Sequence, residues 1–184
     1  MTSLALYPDT APFGLQKAIA DRAAIVAALV PHGVVLEAWD AGTPIAADAD
    51  DAAILTAYAD QIARLQARGG YRSIDVARIT PAHPAGAEMR AKFLAEHVHD
   101  DDEVRFFVEG AGLFYIRAGG IVHALECTAG DLIMLPAGAV HWFDMGPAPH
   151  FTAIRLFTTP EGWVARFTGD PIAEALPLYA GARG

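Results

Sequence analysis

The sequence predicts a mainly β domain, a barrel or sandwich, with a helical N-terminal portion. Three observations predict it. From Glu103 onward the chain breaks into short runs with strand-type alternation. Clusters of turn residues separate those runs: Gly110-Ala111-Gly112, Gly119-Gly120, Ala129-Gly130-Asp131 and Pro136-Ala137-Gly138. Upstream, apolar residues recur at helical spacing over two long segments.

The first of these helical segments covers residues 15–29 and the second 51–68, where Gly69-Gly70 makes a stop. Between them residues 34–39 read as a short strand. Residues 71–79 look extended and end at Thr80-Pro81, and 86–95 form a short helix that delivers the chain to His97. Six strands follow, at 104–109, 112–117, 121–127, 131–135, 140–144 and 151–158. The tail from Pro160 is expected to pack back on the barrel and fray at 181–184. A length of 184 residues fits one domain with a full core, so 1–184 is read as a single unit. Its parts are a helical portion over about 1–90, a barrel over about 71–169 and a tail over 170–184.

Thirteen Lys and Arg against 22 Asp and Glu give a net charge of −9, which repels nucleic acid backbones and anionic lipid surfaces. The longest apolar run, residues 23–30, is far shorter than the roughly 20 residues needed to cross a bilayer. The N-terminus lacks a basic region followed by a long apolar one, so cytoplasmic residence is expected. Cys127, the single cysteine, lies in an apolar/polar alternation and reads as a buried strand residue in a reducing compartment.

The most informative stretch is Glu96-His97-Val98-His99-Asp100-Asp101-Asp102-Glu103-Val104-Arg105-Phe106. If it is extended, His97, His99, Glu103 and Arg105 share one face. Imidazoles with a carboxylate suit iron, nickel, manganese or zinc, and no thiolate biases the site toward a structural zinc. A strand, a Pro-x-Gly turn and a second strand bring in His141 as a third imidazole. Four protein ligands on an octahedral ion leave two positions open for chemistry. The plain alternative is a metal-free ligand-binding barrel with ordinary histidines. His32, His83, His123 and His150 have no matching context, and Asp100-Asp101-Asp102 reads as a solvated loop.

The two segments resemble the paired cupin motifs, H-x-H-x3-E-x6-G from His97 to Gly110 and G-x5-P-x-G-x2-H from Gly130 to His141. Ala91 and Met145 stand where that pattern usually has glycine and asparagine. The resemblance implies a double-stranded β-helix, or jelly-roll barrel. A narrower likeness runs through Lys92 to His97, Asp102 to Gly110, His141 to Gly146, Ala153 to Phe157 and Pro160 to Gly169, and takes in Tyr7-Pro8-Asp9. These segments resemble acireductone dioxygenase, the oxygen-dependent enzyme of methionine salvage. That resemblance implies one Fe2+ or Ni2+ per chain on His97, His99, Glu103 and His141, with other divalent ions possible in vitro. It implies acireductone and O2 as partners, and a monomer is expected. The substrate binds as an anion, so Arg105 is the leading candidate to stabilise it and Arg155 the second; an ordinary salt bridge is the alternative for each. Phe93, Phe143 and Trp163 would surround the methylthio tail, or be plain core. Another metal cupin, acting on a different enediol or isomerising a sugar, and a non-catalytic ligand-binding module are the competing readings.

Overall fold

The chain opens with an antiparallel pair, β1 (Ser3–Pro8) and β2 (Lys17–Ile19), followed by helix α1 (Arg22–Leu29). This is a computed structural model describing residues 1–11, 13–159 and 164–181, so Trp163 lies outside the described residues. Helix α1 is about half the span that the apolar spacing predicts. The Asp21 carboxylate accepts from Ala24 N–H at 2.9 Å and caps the helix, while residues 17–19 satisfy their backbone by pairing with β1. Alanine-rich spacing does not register that competition. A 3-10 turn, Val30–His32, leads to β3 (Val35–Ala38).

The predicted helix at 51–68 is two helices, α2 (Asp51–Ala57) and α3 (Ala59–Arg68). They meet at Tyr58, whose backbone leaves the helical region at φ −115°, ψ 24°. Its ring is fully buried and its hydroxyl donates to the carbonyls of Ala41 and Thr43, so tertiary packing sets the break. Next come β4 (Ser73–Ile79), α4 (Gly86–Phe93), β5 (His97–Val98), β6 (Glu103–Ala118), β7 (Ile121–Thr128) and β8 (Asp131–Leu135). The remainder is β9 (Val140–Asp144), β10 (Phe151–Phe157), β11 (Arg166–Phe167) and α5 (Ile172–Ala175). Beside its helices the N-terminal portion contributes four strands, the expected ones at β3 and β4 together with β1 and β2. No helix among the described residues is long and apolar enough to cross a membrane.

Two antiparallel sheets share β6. Its second half sits in the order β11-β5-β9-β6-β7-β1-β2, and its first half lies between β8 and β10 in β3-β8-β6-β10-β4. The two strands predicted at 104–109 and 112–117 are therefore one, bent at Gly110. There φ is +69° and a Cβ would lie 1.8 Å from the His150 carbonyl oxygen, so no other residue fits. A register shift opposite Thr152 and Ala153 accompanies the bend. It inverts parity: Phe107 before the bend and Phe114 and Ile116 after it all enter the same interior.

That interior also holds Leu36, Ile133, Leu125, Phe143, Phe151 and Ala153. The other face of the second sheet, with Val104, Phe106, Leu132, Ile154 and Leu156, is covered by Ile54, Tyr58, Ile62 and Leu65 from α2 and α3. Strands buried on both faces read as nearly continuous apolar runs, which is why residues 104–108 and 151–157 do. The outer face of the first sheet is closed over Tyr115, Val122 and Trp142 by Ile172 and Leu176 of the tail. Buried Asp144 fastens α4 to β9, accepting from Arg90 Nε at 2.7 Å and Nη2 at 3.0 Å, and also accepts from the backbone N–H of Tyr179 in the tail. Helix α4 is thereby held where it hands the chain to β5.

Candidate metal centre

His97 on β5 pairs in register with His141 on β9, and His99 follows one residue beyond β5. The three ring centroids lie 4.5, 4.9 and 5.1 Å apart, and one nitrogen from each ring falls within 4.8 Å of the other two. All three rings are buried. Glu103, the first residue of β6 and 1% exposed, puts Oε2 2.9 Å from His141 Nε2 and 3.2 Å from His99 Nε2. The four residues named from sequence therefore converge. They do not do so on one strand, because residues 100–102 bend between the two sheets.

Nor is that acidic run a merely solvated loop. Asp101 accepts from the N–H groups of Asp102 at 2.8 Å and Thr158 at 2.9 Å, and Asp102 accepts from Ala137 N–H at 2.9 Å. Gly138 N–H donates to the His99 carbonyl at 2.8 Å. The bend is thus tied to the Pro-x-Gly turn before His141 and to the end of β10. Asp100 alone is at the surface, paired with Arg166.

Each imidazole has its Nδ1 against a backbone carbonyl: Ala95 for His97 at 2.7 Å, Val164 for His99 at 3.2 Å and Ala139 for His141 at 2.8 Å. A carbonyl only accepts, so Nδ1 carries the proton and the Nε2 lone pair faces inward. For His99 and His141 that lone pair meets a carboxylate oxygen at hydrogen-bond distance. A cation between two acceptors so placed relieves their repulsion, and borderline nitrogen and hard oxygen donors suit a divalent transition metal. The residues present therefore fit such an ion.

Burial, then repulsion from His141, lowers the pKa of His97 from 6.5 to about 4, so its ring is neutral at neutral pH. Burial opposes ionisation of Glu103, but the Arg105 guanidinium beside it holds its carboxyl well below the usual range. Between pH 6.5 and 4 the unfolded chain protonates His97 while the folded one does not. Stability of the metal-free protein should therefore be complete above pH 6.5 and fall as pH drops toward 4, by at most on the order of 3 kcal/mol from this residue. Urea unfolding at pH 7.5 and 4.5, compared with His97→Gln, checks this: the variant should show a distinctly shallower loss, and equal slopes would sink the assignment.

Arg105 is buried, with Nε 2.6 Å from Glu103 Oε1. Its guanidinium lies over the rings of Phe143 at 4.8 Å and Phe114 at 5.1 Å. Phe114 in turn packs 6.5 Å from His141. Arg155 is the cross-strand partner of Arg105 and is held by Asp75, Nε to Oδ1 at 2.7 Å. Phe143 is inner core, packed on Phe114, Phe151 and Phe107, and the partly buried Phe93 meets its edge at 6.5 Å. Three contributors have no sequence signal of their own. Phe167, half-exposed, stands edge-on to the His97 ring at 5.9 Å. The Val164 carbonyl orients His99. Buried Glu96 accepts from the Thr168 hydroxyl at 2.6 Å and from Arg117, pinning the 166–168 segment beside β5. Each bridges to the segment 164–168 from residues 96–99, which lie 65 or more positions earlier.

Known proteins agree with this geometry. A profile of the ARD/ARD' family matches residues 16–165. An acireductone dioxygenase of Parvibaculum lavamentivorans is 56% identical over 179 residues, covering 97% of each chain. That of Marinobacter nauticus is 48% identical over 184 residues, 100% of this chain and 99% of the other. Among solved structures, an acireductone dioxygenase from Bacillus anthracis with a cadmium ion in its active centre superposes with a TM-score of 0.79 at 31% identity, covering 91% of this chain and 98% of that one. A cupin barrel, a buried three-histidine centre and this degree of identity lead to one conclusion: the chain belongs to the ARD/ARD' family.

Proposed function

We propose that this protein is an acireductone dioxygenase, cleaving 1,2-dihydroxy-3-keto-5-methylthiopentene with O2 in methionine salvage. The observation that carries the proposal is the convergence of three buried imidazoles, two of them within 3.2 Å of a buried carboxylate that has a buried guanidinium behind it. Fe2+ or Ni2+, held by His97, His99, Glu103 and His141, would supply Lewis acidity and redox chemistry to a chelating substrate. The protein's own groups do the rest. The Arg105 guanidinium presents fixed positive charge in a low-dielectric interior, which favours the ionised enediol over the neutral one. Arg155 adds a second positive group on the same inner face. The aromatic wall of Phe143 and Phe114 restricts water near these charges, and Phe93, at its edge, offers apolar surface to a thioether tail. Trp163 is assigned to the same slot on the family likeness.

The products follow the ion: formate and a keto acid with iron, or formate, carbon monoxide and a methylthio acid with nickel. We place the enzyme in the cytoplasm as a monomer. Elemental analysis of the purified protein, followed by an oxygen electrode and product identification with acireductone, tests the reading. Oxygen uptake that depends on one equivalent of iron or nickel per chain is expected. No uptake by either reconstituted form overturns it, and turnover without oxygen would identify an isomerase instead.

A further inference from the structure

Across the second sheet the inner-face positions Asp75, Arg155, Arg105 and Ile133 form one row, each the register partner of the next on β4, β10, β6 and β8. Two arginines directly opposite each other repel. Arg105 is buried and engaged by Glu103; Arg155 is partly exposed and carries a long flexible side chain. Repulsion and side-chain entropy both favour turning Arg155 out to solvent. Asp75 opposes them with a two-pronged grip, its Oδ1 2.7 Å from Arg155 Nε and its Oδ2 2.5 Å from Nη2. The face of Phe157, 5.5 Å away, supports the same guanidinium.

We propose that Asp75 is a positioning residue for substrate capture: by holding Arg155 inward against Arg105, it maintains a pair of guanidiniums that a chelating anion meets on entering the barrel. This rests on the reading of the chain as an acireductone dioxygenase. It concerns ground-state binding, so its effect belongs in KM rather than kcat. Simple charge arithmetic predicts the reverse. Deleting a carboxylate beside an anion site should tighten anion binding if Asp75 only screens Arg155, and weaken it if Asp75 holds Arg155 in place.

The test uses nickel-loaded full-length protein, with oxalate as a non-reacting chelating dianion followed by the nickel absorption spectrum, alongside steady-state kinetics with acireductone. For Asp75→Asn we expect a rise of about 5–10-fold in both the oxalate Kd and KM, the size of one ordinary hydrogen-bonding contact, with kcat within about twofold and metal content unchanged. Adding Asp75→Asn to Arg155→Gln should produce little further loss, because the first acts through the second. Asp75→Glu, which keeps the charge on a chain one methylene longer that can still reach the guanidinium, should stay within about twofold of wild type. Unchanged or tighter binding by Asp75→Asn, additive losses in the double variant, or an Asp75→Glu as impaired as Asp75→Asn each overturn the proposal. If the wild type binds oxalate but consumes no oxygen with acireductone, the assigned reaction fails while the oxalate arm still decides the role of Asp75.

Discussion

His141→Ala is expected to abolish metal retention and oxygen uptake together. Partners one step removed from a metal typically cost 10–100-fold in affinity or activity, and loss of a ligand itself should exceed about 100-fold. The imidazole removed is the one closest to Glu103, at 2.9 Å, and the register partner of His97, so its loss opens the centre on two sides. Metal content after dialysis, measured beside initial oxygen uptake, reads both effects. Far-ultraviolet circular dichroism should remain that of the wild type, because β9 keeps its pairing with β6 and Trp142 and Phe143 keep their burial. A variant that retains a full equivalent of metal and turns over normally would remove His141 from the ligand set.

The second large effect concerns Arg105. Its guanidinium is the nearest fixed positive charge to a carboxylate that is itself almost wholly enclosed, with 2.6 Å between Nε and Oε1. Arg105→Met fills similar space but leaves Glu103 buried without that compensation, a change that typically costs about 3–5 kcal/mol. A bound dication also compensates the carboxylate. The expected result is therefore a large drop in the urea midpoint for chelator-treated protein, a clearly smaller drop for metal-loaded protein, and a lower kcat/KM. Equal losses in the two forms, or a loss below about 1 kcal/mol in the metal-free form, would show that Arg105 does not balance the charge of Glu103.

The four residues that converge were legible because each is chemically unusual in its setting. A polar His-x-His followed by glutamate interrupts an apolar chain, and His141 follows a Pro-x-Gly turn between alternating runs. The barrel strands were legible for the same reason, since turn residues fall between them. What sequence hid was pairing. Residues 3–8 lack any strong alternation, yet β1 forms because β7 offers an unpaired edge, with Ala5 opposite Ala124 and Tyr7 opposite Val122. Residues 17–19 look helical by composition and are drawn into β2 by pairing with β1. Asp75 and Arg155 stand 80 positions apart, and only the β4–β10 register makes them neighbours. The expectation of one extended segment from His97 to Arg105 reached the right cluster by a wrong path: residues 100–102 turn, and the two halves meet again from different sheets.

Two of the three imidazoles take their orientation from a carbonyl two residues upstream, whereas His99 takes its own from Val164, 65 positions later. A piece of chain ending at β9 would hold the orienting carbonyls of His97 and His141 but not that of His99, so the complete set of oriented rings is a property of the closed barrel rather than of any one hairpin.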